Sequence, residues 1–328
     1  MKLSVALCSY NGEHYIKEQL LSILNQTRGV DEIIVCDDGS TDGTVGIVEE
    51  VKKGCDVAIK IYRNQQSIGV CANFAKAMQL CSGDIVFLSD QDDVWREDKV
   101  EHIVKWFEAN PRKSAVFTNA DLIDDHGDCF TEKTLFDVVA FGKKSQKLFD
   151  RGMDFEVFVK HNRATGATMA LRRSFVDEVK VDTQATSKNK KPLHDYIIAL
   201  TALVSNRLGY IDEGLTKYRI HSQQVCGVGT WLQVPPGEFK IGYPVFKAEI
   251  LMPYLTKEQK ERLAFFYQRF TFHSSWFGWK VVCNATTYMK YYREMSFKIV
   301  SYDMKQSFVL SRRRIINAFN RHVRHLDV

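Results

Sequence analysis

Five short apolar runs, LSVALCS, EIIVCD, VAIKIY, DIVFLSD and SAVFTN, follow one another in the first half of the chain, and the segments between most of them have helical spacing. The helical repeats are Ile16, Leu20, Ile23 and Leu24, then Val45, Val48 and Val51, then Val100, Ile103, Val104 and Phe107. This alternation predicts an α/β fold, a mainly parallel sheet with helices on both faces. Ligands of such sheets bind beyond the carboxyl ends of the strands, so the residues that follow each run are the first candidates for a site.

Ser9, Tyr10 and Asn11 follow the first run, and Asp37, Asp38, Gly39 and Ser40 the second. Asp90, Gln91, Asp92 and Asp93 follow the fourth. Three carboxylates in four positions repel one another, and a cation or a set of donors must offset that cost. The first turn, CSYNGEHY, has one glycine where a dinucleotide fold needs GxGxxG, which argues against NAD or FAD. Tyr10 can stack on a base, Asp37 or Asp38 can accept from a base N–H or a ribose hydroxyl, and the later carboxylates can hold a divalent cation on phosphates. Together they describe a site for a nucleoside diphosphate. Each cluster also has a plainer reading: a turn with an N-cap at 38–42, and an acidic helix start at 90–93. Asn73, in GVCANFAKAM, could reach the nucleotide, and the plainer reading places it on a helix surface.

VALCSYNGEHYIKEQLLSILNQT, IIVCDDGSTDGT and GDIVFLSDQDDVW resemble, in this order, glycosyltransferase family 2, inverting sugar-nucleotide transferases of the GT-A fold. NRATGATMALRRS, LHDYIIALTALV and IDEGLTKYRIHSQQVCG resemble the branch of rhamnosyltransferases of bacterial surface polysaccharides. The resemblance spans residues 2–227 and implies a Rossmann-like GT-A domain. It also implies that Asp90 and Asp92 form the DXD element, with Asp92 the direct ligand of Mg²⁺ or Mn²⁺, Asp90 nearer the ribose, and Asp93 a helix cap. Ser9, Tyr10 and one of Asp37 and Asp38 would meet the nucleotide, Gly166 would lie beside the donor sugar, and His221 would complete the metal shell. The family's catalytic acid pair falls on His194 and Asp195. Many members carry two acids there, whereas His-Asp is familiar in the rhamnosyltransferase branch. Asp195 is then the base. It takes the acceptor's proton as the hydroxyl attacks C1 from the face opposite the leaving diphosphate, giving inversion in a single displacement. Read without the resemblance, Asp195 is a cap of the helix that starts there; Asp121 or Asp124 would be the next carboxylates to consider.

The resemblance makes dTDP-L-rhamnose the leading donor, a UDP-hexose the second, and a growing bacterial surface glycan, lipid-linked in some systems, the acceptor. A nucleotidyltransferase would want a glycine-rich, basic phosphate loop that SYNGEHY lacks. A sugar-nucleotide-binding assembly protein without turnover is the other alternative.

Of 328 residues 45% are hydrophobic and 26% charged, which suits a globular chain, and the eight cysteines form no CxxC pair, so neither a zinc site nor a disulfide frame is expected. The start, MKLSVALCSYNGEHY, turns polar too soon for an export signal, so a cytoplasmic enzyme is expected. The net charge of +5 is uneven: residues 245–328 carry 15 Lys and Arg against 6 Asp and Glu. A boundary is expected near residue 235, at QVPPGEFKIGYP, with residues 1–235 the transferase domain and 236–328 a basic, aromatic-rich helical extension. That extension would suit the anionic inner face of a membrane, and no nucleic-acid module accompanies it.

Overall fold

The seven residues of Leu3–Ser9 are buried throughout, as a continuous apolar run in a covered sheet must be. The structure, a computed structural model, describes residues 1–152, 154–158, 162–181, 183–184, 193–222 and 224. The described residues form two compact units, 1–143 with those from 158 onward, and 144–157.

The chain opens with β1 (Leu3–Ser9), α1 (Ile16–Leu24), β2 (Glu32–Asp37), α2 (Thr44–Lys53), β3 (Ala58–Arg63), α3 (Val70–Leu80) and β4 (Ile85–Ser89). Next come β5 (Val94–Trp95), α4 (Lys99–Ala109), β6 (Ala115–Ile123), β7 (Cys129–Thr134) and a single helical turn, α5 (Leu135–Val138). The described part of the second unit holds most of α6 (Lys143–Asp150) and α7 (Asp154–Phe158). Back in the first unit lie a 3-10 turn at Gly166–Thr168, β8 (Met169–Arg172), α8 (Arg173–Val176), α9 (His194–Val204) and β9 (Leu208–Arg219).

The sheet order is β3-β2-β1-β4-β8-β6-β9-β5, with β7 on β6. β1, β2, β3, β4, β6 and β9 run one way, and β5, β7 and β8 run the other. The five apolar runs are β1 to β4 and the start of β6. The three reversed strands do not show as apolar runs because β5 has two residues, β8 has four and ends in Arg172, and β7 is mostly exposed.

Alternation places Leu3, Val5, Leu7, Ile33, Val35, Ile85 and Phe87 on one face, packed with Ile16, Leu20 and Ile23 of α1, Val48 and Val51 of α2, and Ile103 and Phe107 of α4. Helix α3 packs on β1 and β2 with its own buried set, Phe74, Ala77 and Met78, which lies outside that cluster. The parallel register sets Ser9 level with Asp37, and Leu7 level with Ser89, so the polar clusters that follow β1, β2 and β4 open at one edge. Among the described residues no helix is long and apolar enough to cross a membrane. The boundary expected near residue 235 and the basic segment 245–328 lie outside the described residues.

Candidate functional site

At that edge lies a cavity of about 510 Å³. Ser9, Tyr10, Asp38, Asp90, Asp92, Gly166, His194, Asp195 and His221 all line it, brought from four strand ends, a 3-10 turn and a helix start. Asp37 does not. Its carboxylate is wholly buried and spent on the turn behind the cavity, accepting from Ser9 Oγ at 3.0 Å, Ser40 N at 2.9 Å and Gly39 N at 3.2 Å. Of the two aspartates left open by the sequence, Asp38 is the one on the wall. It accepts from Asn64 Nδ2 (2.9 Å), Ser67 Oγ (2.7 Å), Ile68 N (2.8 Å) and Gly69 N (2.9 Å). Gly69 reaches this position with φ of 89°, which a side chain would strain, and α3 begins at the next residue.

Two further expectations are corrected. Asn73 is buried, not on a helix surface, and lines the cavity: its Nδ2 donates to the Cys36 carbonyl (2.7 Å) and its Oδ1 accepts from Asn64 (3.0 Å). Asp93 caps no helix, since α4 begins after Asp98. It is 1% exposed, accepts the Arg219 backbone N–H at 3.0 Å, and its other oxygen has no partner. Asp121 and Asp124 lie off the cavity, Asp124 closing its own turn on His126 N and Asp128 N.

The electrostatics follow from burial. Asp90 is pushed up to about 8, first by desolvation and then by Asp92 and Asp195. Asp195, in the first turn of α9 with Leu193 at the N-cap, is pushed up to about 6 by desolvation. Its carboxylate accepts from Tyr196 N at 2.7 Å and is steadied further by Gly166 N–H and the Asn162 amide. His194 is held down to about 3 by desolvation, so it is neutral at ordinary pH, and its ring stacks on Phe74 with centroids 4.2 Å apart.

A Cβ at Gly166 would lie 2.8 Å from His194 Nε2 and 3.6 Å from Asp195 Cβ. Because the imidazole would have to give way at the cost of its stack on Phe74, Gly166→Ala is expected to displace His194 and Asp195 and to lower both turnover, by roughly tenfold or more, and thermal stability, by about 1–3 kcal/mol. Steady-state kinetics beside a melting curve checks this. An alanine variant with wild-type kcat would show that the close approach is immaterial.

Asp92 Oδ2 lies 2.9 Å from His221 Nε2, and Nδ1 of the same ring is buried without a partner. Among the described residues no group of three or more His, Cys, Asp or Glu side chains is placed to hold a metal ion. Two protein donors still fit a hard divalent cation that draws its other ligands from water and phosphate oxygens, which is how Mg²⁺ is usually held beside nucleotides. The acidic wall fits it too. Asp38, Asp90, Asp92 and Asp195 face the cavity, and no Lys or Arg is among its described lining.

Several contributors were not singled out from the sequence. Gln91 clasps the backbone of Tyr10, accepting from its N–H (2.8 Å) and donating to its carbonyl (3.0 Å), and so ties the two loops together. Tyr15 packs on the His221 ring at 4.8 Å and bonds Asp125 through its hydroxyl. Arg219, 1% exposed, donates to the Asp92 carbonyl (2.8 Å) and to the carbonyls of Asp124 (3.1 Å) and Asp125 (3.0 Å), and its charge meets Glu18 at 2.6 Å. Lys99 is wholly buried; desolvation brings it down to about 7 against the pull of Asp93 and Asp90. It shares a helix stripe with Ile103 and Phe107, at spacings of four, and a lysine on an apolar stripe is a signal that was available in the sequence.

Residues 4–180 match the family described as Glycosyl transferase family 2. The dTDP-rhamnosyl transferase RfbG of Shigella flexneri is 28% identical over 232 residues, 67% of this chain and 73% of that protein. The UDP-Glc:alpha-D-GlcNAc-diphosphoundecaprenol beta-1,3-glucosyltransferase WfgD of Escherichia coli is 32% identical over 124 residues, 38% of this chain and 47% of that protein. In fold, the chain is similar to the crystal structure of S. aureus TarS 1-349 in complex with UDP-GlcNAc, with a TM-score of 0.54 at 17% identity over 95% of this chain and 90% of that one.

Proposed function

Since the chain belongs to glycosyl transferase family 2 and is a glycosyltransferase, we propose that it moves a neutral hexose from a nucleoside diphosphate to a hydroxyl of a bacterial surface glycan, with inversion. The observation that carries this is the cavity wall of four aspartates with no Lys or Arg among its described lining. A nucleoside diphosphate would be repelled there unless a cation came with it, and a carboxylate set apart from the cation site is what an acceptor hydroxyl needs.

Each residue then has a task. Tyr10, 44% exposed at the rim, stacks on the base, and Ser9 and Asp38 shape the pocket beneath it. Asp90 stands beside the ribose. Asp92 and His221 would hold Mg²⁺ or Mn²⁺, which when bound would supply positive charge opposite the leaving diphosphate. Gly166 leaves room for the donor sugar next to His194. Asp195, with a carboxyl near 6, is ionised at neutral pH yet more basic than an ordinary carboxylate, and it takes the acceptor's proton during attack on C1. The leaving diphosphate needs no proton, so a second catalytic carboxylate has no role.

The name of the Shigella flexneri relative favours dTDP-L-rhamnose as donor, and that of the Escherichia coli relative supports a UDP-hexose and a lipid-diphosphate acceptor as the second reading. A lipid-linked acceptor would bring the enzyme to the inner face of the membrane, where the basic segment 245–328 would favour anionic lipid. The test is nucleoside diphosphate release from a panel of nucleotide sugars with Mg²⁺ or Mn²⁺, with and without lipid-linked acceptors. Turnover is expected to be fastest with dTDP-L-rhamnose. Faster turnover of a UDP-hexose would select the second reading, and tight binding without release from any donor would identify a non-catalytic binding protein.

A further inference from the structure

Lys99 is the one lysine among the largest wholly buried side chains, and the mechanism above gives it nothing to do. Its ammonium donates to the Ala167 carbonyl at 3.1 Å and to Thr216 Oγ1 at 2.8 Å, and it lies 4.1 Å above the centre of the Trp95 ring. Three separate parts of the chain therefore meet on the cation carried by α4: β5 through Trp95, the Gly166–Thr168 turn, and β9 shortly before it delivers His221. The Gly166–Thr168 turn is the same one whose Gly166 N–H supports the Asp195 carboxylate and whose missing Cβ lets His194 and Asp195 close in. The charges of Asp93 and Asp90 also draw Lys99.

A buried ammonium is costly, and a leucine or methionine would fill the same space without that cost. What the apolar residue would not supply is a directional hold on the Ala167 carbonyl from a group itself anchored on Thr216 and on Trp95, two residues beyond the acidic loop. We infer that Lys99 is a positioning residue for the transfer: it locks the Gly166–Thr168 turn, and through it the carboxylate of Asp195, at a set distance from the Asp90–Asp93 loop. The inference rests on the reading of Asp195 as the base. Small errors in that distance matter, since displacement of a reacting group by about 1 Å can cost on the order of 10²-fold in rate.

Lys99→Met keeps the stem and removes the ammonium. It is expected to lower kcat by roughly 10²-fold while nucleoside diphosphate affinity, measured by calorimetry with Mn²⁺, stays within about twofold of wild type. A merely structural lysine would lower the melting temperature without separating kcat from affinity. The deciding comparison is the double variant Lys99→Met with Asp195→Asn. If Lys99 acts through Asp195, the double variant turns over no more slowly than Asp195→Asn alone, to within about threefold.

Losses that multiply when Asp195→Asn is itself strongly impaired would overturn the positioning role and leave the base reading standing. A fully active Asp195→Asn enzyme would remove the base reading, and this inference with it, a result visible in the single variant. Wild-type kcat for Lys99→Met would overturn the inference directly. Should Lys99→Met fail to fold, Thr216→Val takes away one acceptor at constant volume. Its expected loss is roughly tenfold in kcat, again absent in the Asp195→Asn background; a loss that persists there would count against the proposal.

Discussion

Asp195→Asn is expected to lower kcat by roughly 10² to 10⁴-fold with nucleoside diphosphate affinity almost unchanged, the range for a lost general base. The amide keeps the size of the carboxylate and can accept from Tyr196 N as the acid does, but it cannot take a proton. A second, opposite effect should accompany the loss. Burial raises the folded carboxyl from its ordinary 3.8 to about 6, so the folded protein favours the protonated acid. The stability this confers is full below pH 4 and is lost as pH rises through 6, leaving an ionised group that costs on the order of 2–3 kcal/mol at neutral pH. Asparagine carries no such cost. The variant should melt at or above the wild-type temperature at pH 8, with the gap closing toward pH 4, while wild-type kcat falls as pH drops below about 6. An enzyme that stays active as Asp195→Asn would redirect the search for the base to other carboxylates near the cavity.

Asp92→Ala should abolish turnover, and it should weaken nucleoside diphosphate binding chiefly when Mg²⁺ or Mn²⁺ is present. With chelator, variant and wild type should bind alike. The reason is the crowding: Asp90, pushed up to about 8 by burial and by its neighbours Asp92 and Asp195, marks a site that stays short of positive charge until a cation arrives. Calorimetry of the wild type with and without chelator is the control that matters. Nucleotide affinity indifferent to chelation would remove the metal from the mechanism.

The nucleotide-facing half of this fold was legible because its signals are local. β1 and β2 begin and end where LSVALCS and EIIVCD do, and the polar clusters after β1, β2 and β4 converge as the topology of a parallel sheet requires. What was misread depends on partners far along the chain. Asp93 looks like a helix start until Arg219 meets it from 126 positions away, and Asn73 looks solvent-facing until the Cys36 carbonyl is placed above it. Asp37 and Asp38, adjacent in sequence, divide between a buried turn and the cavity wall, a division set by strand pleat and by the 64–69 loop. Lys99 and Gln91 were overlooked for a different reason. They serve backbone groups, Ala167 O and the two polar atoms of the Tyr10 main chain; the apolar stripe marks Lys99 as unusual, but no side-chain motif names such partners.

The grip of Arg219 on the acidic loop also orders events during synthesis. Asp92 and Asp93 leave the ribosome long before the strand that fixes them, because the pairing spans 126 residues, which at about 5–20 residues per second is a delay of roughly 6 to 25 s. Throughout that interval β1 to β4 have their parallel partners available, whereas the carboxylates must stay in water, without the backbone N–H and guanidinium that later shape their loop. Catalytic competence therefore has to wait for β9, and fragments ending before residue 219 should hold a sheet but not a working site.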